Sequence, residues 1–541
     1  MHKKCYNPLS NQRRTKSAGR EERQQYRKRV DPAFVDAEGR TCLHLEVLQD
    51  CDAQAIEHII KSGCDVNVVD NQGRSALHLA VEKGNVAMVT ALISQGADIE
   101  AFTTDGYRFV ACLELHSPLM VAGRHGKPEA IAALIEAGAH VSRSNDKQQT
   151  ALHFSVGGGC PRCVQQLLTA RAKINYKDTE SNTALILAAK LANPDISAML
   201  LNERANPNIK DALGKTALHW AAETGADEVV RVLMAGGADA EIQDNAGHTP
   251  FVKALTNNRP CSLQQLVDAG CDRTGLDGLN GTALCLATLK GYDDCVHILL
   301  RAGEDPDVVC FVGLTAVIAA ASEGRVSIMR ELLRCGADPN KSGRPGFRPL
   351  TVALRMIFPE NEADKHRVVA MLLRANADVN ARVTVAGYFT TCTGGRNCPL
   401  SFGICSGYIS LVRMLLIAGS HVTPGETQSW MAKNEVERFF DTNDILEPIQ
   451  EWTTQPVSLK HACRLAVRRM LGSGVETKIR RLPIAEMTKD YLNFEEFDYI
   501  RPEKARIPVD ASPAAIVAAM PVTSCAMRVL EGTFMYDAVY T

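Results

Sequence analysis

Residues 211–222 read Asp211-Ala-Leu-Gly-Lys-Thr-Ala-Leu-His-Trp-Ala-Ala222, and they predict a tight turn followed by the start of a helix. Gly214 permits the left-handed backbone of the turn, and Thr216 is a residue type that caps helices. Leu218 and Ala221 give the helix a narrow apolar face. A neighbouring helix can therefore approach this one closely.

A second apolar run follows this helix. It contains Val229, Val230, Val232 and Leu233, and Gly237 comes directly after it. The run predicts a second helix, and the glycine offers a left-handed stop. One such pair of helices cannot bury its own apolar face, so it must stack on copies of itself.

The same pattern recurs along the chain. Its start recurs at Thr41, Ser75, Ser117, Thr150, Thr183, Thr216, Thr249, Thr282, Thr315, Arg348 and Cys398. Its Gly-Ala-Asp-like end recurs at Gly63, Gly96, Gly138, Arg171, Arg204, Gly237, Gly270, Gly303, Gly336, Asn376 and Gly419. Seven consecutive intervals between starts are 33 residues long. This period, with a Thr-Ala-Leu-His-like start, resembles the ankyrin repeat, so we expect an all-α solenoid of about eleven helix–turn–helix repeats with hairpin loops.

Histidines occupy one position of the repeat start, at His44, His78, His153 and His219. We interpret them as structural residues that bond to the backbone, rather than as metal ligands.

Three insertions interrupt the period, near Tyr107–Leu115, Phe358–Lys365 and Ala386–Arg396. Insertions in repeat proteins lie in loops and often on the binding face, although a neutral surface loop is the alternative. Aromatic residues are frequent anchors of protein interfaces. The aromatic residues that we expect first at a substrate contact are Tyr107, Phe109, Tyr388 and Phe389.

The period stops after Thr423. Residues 424–457 are charged, with apolar residues at loosely helical spacing, and predict a segment that caps the last repeat. Residues 458–467 then read Ser458-Leu-Lys-His-Ala-Cys-Arg-Leu-Ala-Val467. On a helix capped by Ser458, residues Leu459, Cys463 and Val467 share one stripe, which suits docking into a groove of a partner.

A second element follows, Ile479-Arg-Arg-Leu-Pro-Ile-Ala-Glu-Met-Thr-Lys-Asp-Tyr-Leu492. Placed in this order behind ankyrin repeats, the two elements resemble the SOCS box of the ankyrin repeat and SOCS box family of ubiquitin-ligase substrate receptors. The resemblance implies that elongin C, in complex with elongin B, is bound by Ser458, Leu459, Cys463 and Val467. It implies that cullin-5, with its RING partner, is contacted by Ile479, Leu482, Pro483, Ile484, Tyr491 and Leu492.

Two residues depart from the family pattern. Ala485 stands where a second proline is usual, and it lacks the fixed backbone angle of proline. Thr488 stands where an apolar residue is usual, which loses about 1 kcal/mol of burial for one or two methylenes. The elongin contact is therefore better supported than the cullin contact.

The bulk composition, 45% hydrophobic and 23% charged, is ordinary for a folded soluble protein. The net charge of −2 over 541 residues favours neither nucleic acid nor membrane as a partner. The chain has no uninterrupted apolar stretch of about 20 residues and starts without the apolar core of a secretory signal. We expect reduced cysteines and a cytoplasmic location, with the nucleus as second compartment. We also expect disordered tails at residues 1–35, which are basic, and 493–541.

Cysteine clusters give no complete metal pattern. The pair in Cys160-Pro-Arg-Cys163 has zinc-like spacing but no second pair at ligand distance, and Cys398, between Cys392 and Cys405, belongs to the repeat pattern.

The sequence therefore predicts a non-catalytic substrate receptor without cofactor or metal, in which residues 36–423 form the repeats and 458–492 the SOCS box. One alternative is a plain ankyrin scaffold whose C-terminal helix only caps the array. A more distant one is an enzyme with a site built from the cysteine clusters.

Overall fold

The computed structural model of the protein describes residues 34–49, 53–103, 115–273, 282–310, 313–343, 347–355, 362–381, 398–400, 403 and 409–420. The regular elements in these residues are all α-helices, and β pairing there is limited to isolated bridges such as Val35 with Thr41. The predicted all-α ankyrin-repeat class is confirmed. The chain divides into two compact units, Met1–Asn245 and Ala246–Thr541, which we call the N-terminal unit and the C-terminal unit.

The described part of the N-terminal unit contains six helix pairs. In chain order the helices are α1 (Cys42–Leu48), α2 (Ala53–Lys61), α3 (Ala76–Lys83), α4 (Val86–Ser94), α5 (Pro118–Arg124), α6 (Pro128–Glu136), α7 (Ala151–Gly157), α8 (Pro161–Thr169), α9 (Ala184–Lys190), α10 (Pro194–Asn202), α11 (Ala217–Thr224) and α12 (Asp227–Ala235). The first helix of each pair has seven or eight residues and the second has nine.

These helices stack in two rows, because first helices pack on first helices and second helices on second helices of the next repeat. Leu218 and Ala221 are fully buried, as the apolar pattern predicts. In α12, Val230 and Leu233 are also fully buried, whereas Val232 is half-buried. The core of the unit is thus a continuous layer between the two rows, which no single pair could form.

The C-terminal unit repeats the arrangement in its described part. Its helices are α13 (Pro250–Thr256), α14 (Pro260–Asp268), α15 (Ala283–Lys290), α16 (Asp293–Arg301), α17 (Ala316–Glu323), α18 (Val326–Arg334), α19 (Pro349–Arg355), α20 (Glu362–Arg374) and α21 (Ile409–Ile417). The last of these, α21, is a second helix.

Helix α20 has thirteen residues where the other described second helices have nine. The insertion near Phe358–Lys365, expected as a loop, therefore partly extends this helix by a turn. Lys365 in that turn is fully buried. Its ammonium donates to the carbonyls of Ala321, at 2.6 Å, and Ser322, at the C-terminal end of α17. A cation at this end is favourable because the unpaired carbonyls of a helix carry partial negative charge.

The residues that close the repeats adopt one conformation. All eleven positions of the predicted stop, from Gly63 to Gly419, have positive φ, including the non-glycine residues Arg171 (61°), Arg204 (65°) and Asn376 (72°). After α10, the N–H of Arg204 donates to Leu201 O and that of Ala205 to Leu200 O, which pairs carbonyls that the helix end leaves free. The predicted left-handed stop is confirmed.

The repeat-start histidines connect neighbouring repeats. In His153 the Nδ1 atom accepts the Thr150 N–H at 3.2 Å, and Nε2 lies 3.2 Å from Asn182 O in the next repeat. His44 and His78 make the same bonds, reaching Arg74 O and His116 O. Since Nδ1 accepts, Nε2 must carry the proton, so these rings are neutral. Burial lowers the pKa of His44 and His153, and lowers that of His78 to about 4.

Replacing Arg204 by glycine should stabilise the N-terminal unit by about 1 kcal/mol, because glycine adopts positive φ without the clash of a Cβ atom. The urea midpoint of unfolding measures the change. Gly237→Ala is the matched control, since a Cβ atom there meets nothing within 4 Å and only the backbone cost remains. It should destabilise by a similar amount. A loss of stability in Arg204→Gly would contradict this account.

Acid should weaken the stack through His78. The pKa of His78 falls from 6.5 to about 4 on folding, so its contribution is present above pH 6.5 and is lost as the pH falls towards 4. At pH 5 the loss is about 2 kcal/mol. Hydrogen exchange of helices α3 and α5 at pH 7.5 and pH 5 tests this. His78→Ile, which copies Ile186 of α9, should be less stable at pH 7.5 but lose less on acidification. Equal losses in both proteins would refute the role of the imidazole.

Candidate interaction surface

The residues that the sequence assigns to partner contacts all lie outside the described residues, so their roles stay predictions. They are Tyr107, Phe109, Tyr388, Phe389, Ser458, Leu459, Cys463, Val467, Ile479, Leu482, Pro483, Ile484, Tyr491 and Leu492. The surface that the structure does describe is formed by the repeats.

The first helices of the N-terminal unit leave one face partly uncovered. The fourth residue of each of four successive first helices is half-buried, namely Val121, Phe154, Leu187 and Trp220. The three residues before each of them are buried. Because neighbouring first helices pack side by side, these residues form a partly exposed apolar stripe across the unit.

Trp220 stands at the end of this stripe with two lysines over its ring. The Lys190 and Lys215 Nζ atoms lie 4.3 Å and 4.1 Å from the ring centroid. Such cation–π contacts are attractive because the ring face carries negative charge density. Lys190 also donates to Asn182 Oδ1 at 2.8 Å, and Lys215 to Glu223 Oε2 at 2.7 Å. The indole and both ammonium groups are thus held in place.

The loop before α11 fixes the other side of the indole. The Asp211 carboxylate accepts the N–H groups of Leu213 and Lys215 through Oδ1, at 2.9 Å and 2.8 Å. Its Oδ2 accepts the Trp220 Nε1–H at 2.8 Å. Gly214 completes the turn with φ 76°. One buried carboxylate therefore orients both the loop and the tryptophan.

Cation–aromatic pairs recur towards the start of the same unit. Arg143 lies 4.6 Å from the Phe102 ring centroid, and Lys173 lies 5.9 Å from that of Tyr176. The sequence analysis missed this cluster. The sequence nevertheless held a clue to it. Trp220 is the one tryptophan within the repeats, and it is the fourth residue of a first helix, a position that is half-buried in this repeat.

The cysteine pair in Cys160-Pro-Arg-Cys163 lies at the start of α8. Cys160 is the N-cap, and its Sγ accepts the Cys163 N–H at 3.4 Å. Across the described ranges, no three His, Cys, Asp or Glu side chains come together in a way that could hold a metal ion. Nor does that part of the chain contain a helix long and apolar enough to cross a membrane.

Glu304 in the C-terminal unit occupies an unusual place. The residue after the left-handed stop is small in the other described repeats: Cys64, Ala97, Ala139, Ala172, Ala205, Ala238, Cys271, Ala337, Ala377 and Ser420. Glu304 Oε1 is buried without a hydrogen-bond partner in the structure. Burial raises the pKa of Glu304 to about 7, against the lowering effects of Arg273 and the Leu284 N–H.

Two family models match the chain. The ankyrin-repeat model matches residues 22–103, 109–178, 159–244, 232–310 and 284–383. The SOCS-box model matches residues 455–493. The second match includes the elements predicted to dock on elongin and cullin.

Individual proteins resemble parts of the repeats. Inversin of Canis lupus familiaris is 35% identical over 123 residues, which are 22% of this chain and 10% of inversin, so the chain spans about a tenth of that relative. The ankyrin repeat domain of Bcl-3 is 28% identical, with a TM-score of 0.36 over 40% of this chain and 95% of that domain. The human ASB11 ankyrin repeat domain is 27% identical, with a TM-score of 0.35 over 40% of this chain and 92% of that domain.

Removing the Glu304 carboxylate should stabilise the C-terminal unit, and more at high pH. The pKa of this group rises from 4.5 to about 7 on folding. The folded state therefore has its full stability below pH 4.5, where the carboxyl is protonated in both states, and loses stability as the pH rises through 7. Glu304→Ala should therefore gain about 2 kcal/mol at pH 8 and much less at pH 5. Urea unfolding at both values measures this, with Glu304→Gln as a control of similar size. An equal gain at both pH values would contradict the argument.

Proposed function

The chain belongs to the ankyrin repeat and SOCS box protein family, and on this basis we propose that it is the substrate-recognition subunit of a cullin–RING ubiquitin ligase. The observation that carries the proposal is the presence of both modules in one chain, with the SOCS-box match following the repeats. Both modules are adaptor modules. Repeats alone would support any protein-binding role, and the SOCS box supplies the link to ubiquitination.

The two modules have separate binding roles. The repeats hold a substrate protein, while Ser458, Leu459, Cys463 and Val467 bind elongin B/C and the following segment recruits cullin-5 with its RING partner. The receptor itself supplies no catalytic group. It raises the effective concentration of substrate lysines near a charged ubiquitin-conjugating enzyme, and this proximity is its contribution to the rate. The cytoplasm, with the nucleus as second compartment, is the location that suits this role.

The described repeats suit a holding role. Their turns are fixed by side-chain bonds such as those of Asp211 with Leu213 and Lys215. Links between repeats, such as His153 with Asn182 O, hold each pair on the next. A surface that is already ordered loses little conformational entropy when a partner binds.

Co-purification with elongins B and C tests the proposal. The full chain should bring down both elongins, and the double change Leu459→Pro, Cys463→Phe should abolish this. Position 459 is the first after the Ser458 cap, where a helix tolerates proline, so this change removes the leucine side chain from the stripe. Phenylalanine at position 463 is too large for the position of a small residue against the partner groove.

Two further variants sharpen the test. Cys463→Phe alone keeps Leu459 and should still lose binding. Arg468→Gln, on the opposite face of the predicted helix, should retain it. If the unaltered chain binds neither elongin, the C-terminal segment is only a cap and the protein is an ankyrin scaffold.

A further inference from the structure

We propose that the face around Trp220 in the N-terminal unit binds an extended acidic segment of the partner protein, with an apolar side chain of that segment seated on the stripe. The inference rests on the proposed function, because it gives the chemical class of the substrate. It also moves the expected contact away from the insertion aromatics to residues that the structure describes.

The apolar part of the site is the row Phe154, Leu187 and Trp220. These side chains are half-buried on three neighbouring first helices, so an extended segment can contact them in succession. Leu191, at the end of α9, is 54% exposed and adds apolar surface. A tryptophan held by its own hydrogen bond is a frequent energetic centre of protein interfaces.

The charged part of the site is set by the two lysines on Trp220. An ammonium group has three donors, and one donor of Lys190 is used on Asn182, as one of Lys215 is on Glu223. Lys190 keeps two donors for a ligand, whereas the Lys215 side chain is only 11% exposed. The nearby Asp211 is buried, and its carboxylate oxygens accept hydrogen bonds from the loop and the indole. Glu223 opposes Lys215 in part, so Lys190 is the stronger candidate for a carboxylate partner.

Further cations lie along the loop side of this face. Lys177 and Lys210 are exposed, and their ammonium groups donate to the carbonyls of Lys210, at 3.0 Å, and Gln243, at 2.7 Å, in the following loops. These bonds hold the two charges in a row along the loops that precede α9 and α11, the helices that carry Leu187 and Trp220. A partner segment with carboxylates on either side of an apolar residue is complementary to this order of charges.

A nucleic acid fits the face less well. Single strands bind by stacking bases on aromatic rings, but Leu187 in the middle of the row is aliphatic and lysines lie over the ring of Trp220. The chain as a whole has a net charge of −2. An acidic protein segment is therefore the occupant that the chemistry favours.

The test starts with a displayed library of random short peptides, selected against the full chain bound to elongins B and C. The selected peptides should be enriched in Asp and Glu beside an aromatic or large aliphatic residue. Labelled copies are then measured by fluorescence anisotropy. Binding should weaken about tenfold or more in Trp220→Leu and in the double change Lys177→Glu, Lys190→Glu, and it should weaken as salt is added.

The control is Lys61→Glu, Arg231→Glu, which makes the same charge change on exposed residues of second helices in the same unit and should leave binding unchanged. Thermal unfolding confirms that each variant is folded.

Three results would overturn the inference: selected peptides without acidic enrichment, equal affinity in the face variants and the unaltered chain, or tighter binding of a labelled single-stranded oligonucleotide. The same samples are also tested for elongin binding, which checks the proposed function independently of the acidic-segment site. If the chain binds elongins but gives any of the three results, the proposed function stands and the acidic-segment site is wrong.

Discussion

In the N-terminal unit, three helix pairs are each joined to the next repeat by a hydrogen bond from a neutral imidazole. His44, His78 and His153 each fix the start of their own helix through Nδ1 and reach a carbonyl of the following repeat through Nε2. Both bonds need the same tautomer. Because one ring serves two repeats, its loss disturbs the cap and the interface together, so neighbouring pairs are coupled in stability.

The surface follows from the same stacking. The first three residues of the described first helices are buried, and in α5, α7, α9 and α11 the fourth residue is half-buried and reaches solvent. Lys190 and Lys215 come from different repeats, yet the stack places both at the ring of Trp220. A cluster of this kind needs no dedicated loop, since the repeat spacing brings its members together.

Periodicity in the sequence was sufficient for the elements that every repeat shares. The stop residues, from Gly63 to Gly419, and the histidine role were predicted because each depends on contacts that recur at one spacing. The extra turn of α20 was not, since an insertion leaves no period, and the burial of Lys365 depends on a carbonyl pair more than forty residues away. The tryptophan cluster and the raised pKa of Glu304 likewise arise from single departures in otherwise regular positions.

Specificity can therefore change in this fold without disturbing its core. The fourth residue of the first helix is Val121, Phe154, Leu187 or Trp220 in four successive repeats, whereas the three residues before it are buried in all four. Substitution at an uncovered position costs little stability, so the residues that distinguish one partner from another are those that the stack does not need. The docking segment at 455–493 is a separate match beyond the repeats, and selection on the repeat face can proceed without altering it.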